Sequence, residues 1–227
     1  MSSSFIDSAA QEAAEAEVLP GDPRADALLA SVRASIYHWP ADFGGFRCAL
    51  GYQDGDISLG GLFVCQGSRG LKVDLPELED RRWLRFQLEE LTSHREAPEV
   101  SKISSRTGCS WGDWDPVYGQ RIDFLGDKMG SYYRIKDDRL CQIGRSYKNQ
   151  TFTINIDSHF DCWGCWASEF YSAYYWDGEG ALLKTETYLD RYQQVGEVWL
   201  PSERRVTEVG SSGARTRRLL FSNFELL

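Results

Sequence analysis

The sequence predicts a mainly β (α+β) fold: a curved antiparallel sheet or half-open barrel, with an N-terminal helix and one inserted helix covering the concave face. Three observations carry this reading. Apolar and polar residues alternate along most of the chain after residue 100, the period of half-buried strands. Turn-forming clusters such as "KDD", "DGEG" and "GSSG" separate these stretches at short spacing, which reads as consecutive hairpins. Two segments alone switch to helical spacing. A flat sheet of so many strands would leave too much apolar face in water, so curvature or partial closure follows.

Residues 1–21 are rich in Ser, Ala and Glu and end in "LPGDP". They read as a disordered acidic tail ahead of a single β-rich domain over 22–227. Asp22 offers an N-cap and Pro23 a first helical residue, the usual opening of a helix. Ala25, Leu28, Val32, Ile36 and Trp39 recur at helical spacing, and Pro40 lies just beyond. A helix over about 23–38 is expected. Phe46, Cys48, Leu50 and Tyr52 then alternate as a strand, "DGD" at 54–56 turns it, and "ISLGGLFVCQ" returns. Gly60-Gly61 in that return suggests a bulge or sharp bend. Leu71, Val73 and Leu75 give a third strand. The stretch 76–94 has an early Pro, acids in its expected first turn, and Leu84, Leu88 and Leu91 on one face, so it is the second helix. Further strands are expected at 100–107, 119–126, 131–137, 139–147, 150–157, 166–176, 181–195, 197–209 and 214–226, with "SWGDWDPVYG" an irregular loop. No internal repeat or second domain boundary is visible.

The chain has 227 residues, 42% hydrophobic and 26% charged, the proportions of a globular protein. Its formal net charge is -9, of which Asp7, Glu12, Glu15, Glu17 and Asp22 supply five charges before any Lys or Arg appears. Such a balance argues against general nucleic-acid binding, which needs a basic face to displace counterions. The cluster Arg215, Arg217 and Arg218 reads as a solvated strand face. No secretory signal or membrane-length apolar run is present, so a cytoplasmic location is expected, with the 6 Cys mostly reduced.

"HFDCWGC" places His159, Cys162 and Cys165 within seven residues, and three readings compete. A structural zinc site needs four ligands, and here the fourth would have to be Asp157, Asp161, Cys109 or Cys141. Residues three apart on a strand face opposite ways, so chelation also needs a turn at Trp163-Gly164. A redox pair needs a helix N-terminus to acidify one thiol, yet "ASEFYSAYYW" reads as a strand. Thiols packed among rings are therefore favoured, and a metal- or thiol-dependent activity centred on His159, Cys162 and Cys165 is the alternative. There is no G-x-S-x-G elbow, Walker A or dinucleotide fingerprint. His38 and His94 fall at helix ends, where packing or capping is their simplest role. Enzyme is the minority reading, and no cofactor is required.

Aromatics make up 13% of the chain, with 8 Trp. Rings of this size build either a thick core or a ring-lined cavity. The candidate ligand-binding set is Trp83, Trp111, Trp114, Trp163, Trp166, Tyr174 and Trp176, with plain core filling as the competing account.

The stretches "GDKMGSYYRIKDDRLCQIGRSYKNQTFTINI" (126–156), "TETYLDRYQQVGEVWLPSERRVTEV" (185–209) and "LLFSNFELL" (219–227) resemble an uncharacterised domain-of-unknown-function family of cyanobacteria and plastids (DUF3386-like). The weaker part of the likeness runs back through "LTSHR" to the first helix. The resemblance implies a photosynthetic organism and carries no catalytic residues. The sequence departs from it at "CSWGDWDP" and "CWGCW". In that setting the expected occupant is an apolar small molecule (pigment, quinone or lipid) or a photosynthetic protein partner, the location being cytoplasmic or peripheral to the thylakoid. A partner-docking scaffold tethered by the acidic tail is a third possibility. The element order also resembles, more loosely, the half-open barrels of bacterial lipoprotein carriers, which hold an acyl group between sheet and helices; this is analogy of fold alone.

Overall fold

The computed structural model describes residues 20–67, 70–75, 80–96, 108–127, 129–147 and 149–227. The chain runs α1 (Pro23–Ser35), β1 (Phe46–Asp54), β2 (Ile57–Cys65), β3 (Leu71–Asp74), α2 (Arg81–Ser93), β4 (Cys109–Asp115), β5 (Gly119–Phe124) and β6 (Tyr132–Lys136). It continues through β7 (Arg139–Tyr147), β8 (Gln150–Cys162), β9 (Cys165–Asp177), β10 (Leu182–Val195), β11 (Val198–Gly210) and β12 (Gly213–Leu226). Among the described residues twelve strands form one antiparallel sheet, ordered β3-β2-β1-β12-β11-β10-β9-β8-β7-β6-β5-β4. The order is that of successive hairpins with one non-local join, where β12 returns to pair with β1 (Leu50 opposite Phe221, Tyr52 opposite Leu219). The sheet is open, with β3 and β4 at its edges.

Each helix covers one half of the inner face. Leu84, Leu88 and Leu91 of α2 pack in one cluster with Phe46, Leu50, Phe63, Leu200, Leu219 and Phe221. Ala25, Leu29 and Val32 of α1 pack with Cys109, Ile122, Ile135, Ile156 and Trp166. The mainly β architecture and the two covering helices are thus as the patterning implied, with the concave face shared between both helices.

Local differences have local causes. The first helix stops at Ser35, short of residue 38, because Ile36 turns extended (φ -71, ψ 134) and bridges Trp166 in parallel. Pairing of β9 with β10 ends at Phe170 opposite Leu189, and segment 36–39 enters the split beyond it. There Tyr37 N–H donates to the Trp166 carbonyl at 2.7 Å, and Trp199 N–H donates to the Tyr37 hydroxyl at 2.8 Å. The apolar period continues past the helix because those side chains bury between strands.

The second helix is capped by Asp80, which accepts from Trp83 N–H at 3.4 Å, and its first turn holds no acid. Glu77 and Glu79, expected in that turn, lie outside the described residues, as does the expected strand 100–107. Gly60-Gly61 forms no bulge in the β1–β2 ladder, which runs residue for residue. The backbone of β3 passes there instead: a Cβ on Gly61 would sit 2.0 Å from the Asp74 carbonyl oxygen. The loop expected around Trp111 and Trp114 is strand β4, whose register shifts between those two residues. Gln120 Nε2 supports the irregularity by donating to the Gly112 carbonyl at 2.8 Å. No described helix is long and apolar enough to cross a membrane.

Candidate functional site

Cys162 and Cys165 flank a two-residue hairpin turn, directly opposite one another, with Trp163 (φ 49) and Gly164 (φ 81) both left-handed. That is the backbone a tight two-residue hairpin requires. His159 does not join them. Its Nε2 lies 2.9 Å from the Leu140 carbonyl, and its ring meets Trp166 edge-on at 4.8 Å. Cys162 packs instead into the α2-side core beside Tyr37 and Trp39. Among the described residues no group of three or more His, Cys, Asp and Glu side chains could hold a metal ion.

Burial pushes the Cys162 and Cys109 thiols up to about 11 and those of Cys48 and Cys65 to about 12. Thiolate, the reactive form, is scarce at neutral pH in such sites. Cys48, Cys65, Cys109 and Cys162 are therefore expected to resist an aromatic disulfide reagent at pH 8 until the protein unfolds. The half-buried Cys165 is expected to label fastest and the half-buried Cys141, whose thiol burial also raises, more slowly, and mass mapping of the labelled peptides checks the assignment. Burial also lowers His38, His94 and His159 below the ordinary histidine value.

The seven candidate aromatics fall on different surfaces. Trp166 is core, 2% exposed. Trp83, on α2, stacks under the Arg217 guanidinium at 3.9 Å and stands 6.2 Å from Tyr52. Trp111 and Trp114 sit on edge strand β4, Trp114 largely in solvent, and Arg24 covers Trp111 at 5.0 Å. Trp163 stands exposed at its turn, 5.7 Å from Trp199. Tyr174 and Trp176 stack at 5.9 Å. They alternate with Tyr171, Ala173 and Tyr175, which pack beneath Trp83, so their side of β9 is the convex one.

Between the two helix-covered cores the inner face carries buried charge. Asp190 accepts from Arg204 twice, Nε at 2.7 Å and Nη2 at 2.6 Å, and both side chains are 2% exposed. Arg204 reaches α2 through Gln87 Oε1 at 3.1 Å. Glu186 accepts from Lys184 Nζ at 2.7 Å and from the Tyr175 and Tyr188 hydroxyls at 2.9 Å each. Burial alone would raise its carboxyl, yet these donors hold it below the ordinary value. Burial, then the nearby Glu186 charge, keeps both phenols protonated. Arg217, expected on a solvated face with Arg215 and Arg218, is buried at 3% and pairs with the α2 cap Asp80 at 2.7 Å. Alternation puts it inward and Arg218 outward. Arg204 pairs with Asp190 and reaches Gln87, and Arg217 pairs with the cap Asp80, so the seam fastens α2 to the sheet.

Concave space remains along the N-terminal half of α2, where it faces β3. Edge strand β3 spans four residues against nine in β2, so α2 overhangs a sheet that stops early. A cleft of ≈ 190 Å³ opens there, floored by Leu71, Val73 and Leu75 and walled by Leu84 and Leu88, with Arg81 and Arg85 also lining it. Leu71 and Val73 pair with Cys65 and Phe63, which places them on the inner face. Arg81 Nη2 donates to the Leu75 carbonyl at a long 3.4 Å, and Arg85 Nε pairs with Glu89 at 2.7 Å. Sequence reasoning missed this site; its signal was "LKVDL" meeting the leucine face of "RRWLRFQL".

No curated protein matches the chain. Among solved structures, a LolA superfamily protein from Nitrosomonas europaea aligns over 89% of this chain and 93% of its own, at 13% identity and a TM-score of 0.32. The family model described as "Protein of unknown function (DUF3386)" matches residues 22–227, from the cap of α1 to the end of β12 and the C-terminus. The chain therefore belongs to the DUF3386 family.

Proposed function

We propose that the protein is a non-catalytic binding protein that seats the apolar chain of a small molecule between β3 and α2. The cleft carries the reading: it is concave, floored by aliphatic side chains of β3, and walled by a helix that the charged seam holds on the sheet. Its ≈ 190 Å³ falls below the roughly 300–1,000 Å³ that enclose drug-sized ligands. Of pigment, quinone and lipid, this favours a slim lipid chain over a ring system. The photosynthetic host and a place beside the thylakoid, implied by the family resemblance, belong to the same proposal.

The test is titration calorimetry with 1-decanol, an uncharged chain. Saturable binding is expected, and Val73→Glu is expected to weaken it at least tenfold by placing a charge on the cleft floor. Ile57→Glu, at an exposed site outside the cleft lining, should leave it unchanged. An inert wild-type protein, or a Val73→Glu variant that binds as well, overturns the reading. Exposed Trp114 and Val117 at the β4 edge favour protein docking as a second reading; Trp114→Ser would then abolish partner recovery and leave decanol binding intact.

A further inference from the structure

We infer that the β3–α2 cleft selects a single-chain amphiphile with a carboxylate head, clamped by Arg81 and Arg85; this rests on the binding role proposed above and names its ligand class. The cleft joins two chemistries: an aliphatic floor and, on its α2 wall, two guanidiniums one helical turn apart. Residues four apart on a helix lie on one face, so both forks can address one head group. Arginine suits that task because its planar fork binds a carboxylate through two parallel bonds.

The charges around α2 favour an incoming anion. Arg81, Arg82 and Arg85 stand at its N-terminal end, and no acid occupies the first turn. Cations at the positive end of a helix dipole are unfavourable by themselves. Asp80 is engaged by Arg217 at 2.7 Å and Arg215 at 3.7 Å. The Arg85–Glu89 pair is an exposed i,i+4 contact, a type that contributes little and exchanges readily. The Arg81 bond to the Leu75 carbonyl is long. Both forks can turn to a ligand at small cost. The cleft volume of ≈ 190 Å³ suits one free chain rather than a two-chain lipid held in a bilayer.

Calorimetric titration with decanoate and with 1-decanol at pH 7.5 tests the inference. Decanoate is expected to bind at least tenfold more tightly, and raising the salt from 50 mM to 0.5 M should shrink that preference, because salt screens exposed charge. In the double variant Arg81→Gln/Arg85→Gln the two probes should converge to within about twofold. Equal wild-type affinity for both probes, or a preference kept by the double variant, overturns the inference and leaves the binding role standing. Failure of both probes removes the binding role as well. Association with anionic phospholipid vesicles without decanoate binding contradicts the free-amphiphile assignment.

Discussion

Asp190→Ala is expected to lower the unfolding free energy by about 3–5 kcal/mol, because it strands the Arg204 guanidinium in the core. Both side chains are 2% exposed, and Asp190 accepts two of the Arg204 hydrogen bonds. The nearby Tyr171 hydroxyl and Gln87 amide oxygen also contact Arg204, yet neither supplies a counter-charge. The double variant Asp190→Leu/Arg204→Met should recover most of that loss, since a buried ion pair replaced by apolar groups of similar volume is often neutral. Urea unfolding midpoints with an unchanged m-value make the comparison. A single variant as stable as wild type would mean that the seam does not hold α2 on the sheet.

Trp166→Ala is expected to cost about 3–5 kcal/mol as a large-to-small core substitution. The ring is central to the docking of α1. Its Nε1 donates to Ser35 Oγ at 2.8 Å, its face meets His159, and its neighbours include Leu29 and Val32. The loss should be uneven. Hydrogen exchange should accelerate more across α1 than across α2, whose leucines pack in the other cluster. Equal acceleration in both helices would show that the two halves of the inner face share one core.

What could be read from the sequence was what local chemistry writes. "KDD" turned as expected: Asp137 and Asp138 both take left-handed φ, 51 and 55, between Lys136 and Arg139, which pair. Strands β7 and β9 to β12 followed from alternation and such turns, whereas β8 runs on to Cys162, past its expected end at 157, through a stretch where its register against β9 shifts. Strand β4 was missed because its shifted register breaks period two between Trp111 and Trp114. The burial of Arg217 was missed because three arginines in "ARTRR" look like one solvated run, although alternation sends only some of them outward. Asp190 and Arg204 were invisible as a pair because their meeting depends on the register of β10 against β11.

The aromatic set shows the same limit. Ring content announced large buried area, yet which side each ring takes depends on strand parity and sheet order. Tyr174 and Trp176 lie on the convex side for that reason, and Trp166 is filled in beneath α1. The cleft was illegible too. It exists because β3 is shorter than β2 and because α2 crosses above that step, and neither follows from one segment alone.

The most direct test of the binding role is methyl NMR of the leucines and valines during titration with decanoate. Saturable shifts should concentrate on Leu71, Val73, Leu84 and Leu88, with Leu29 and Val32 under α1 unmoved. Shifts that cluster at Val117 on the far edge, or spectra that do not change, would contradict a ligand site between β3 and α2.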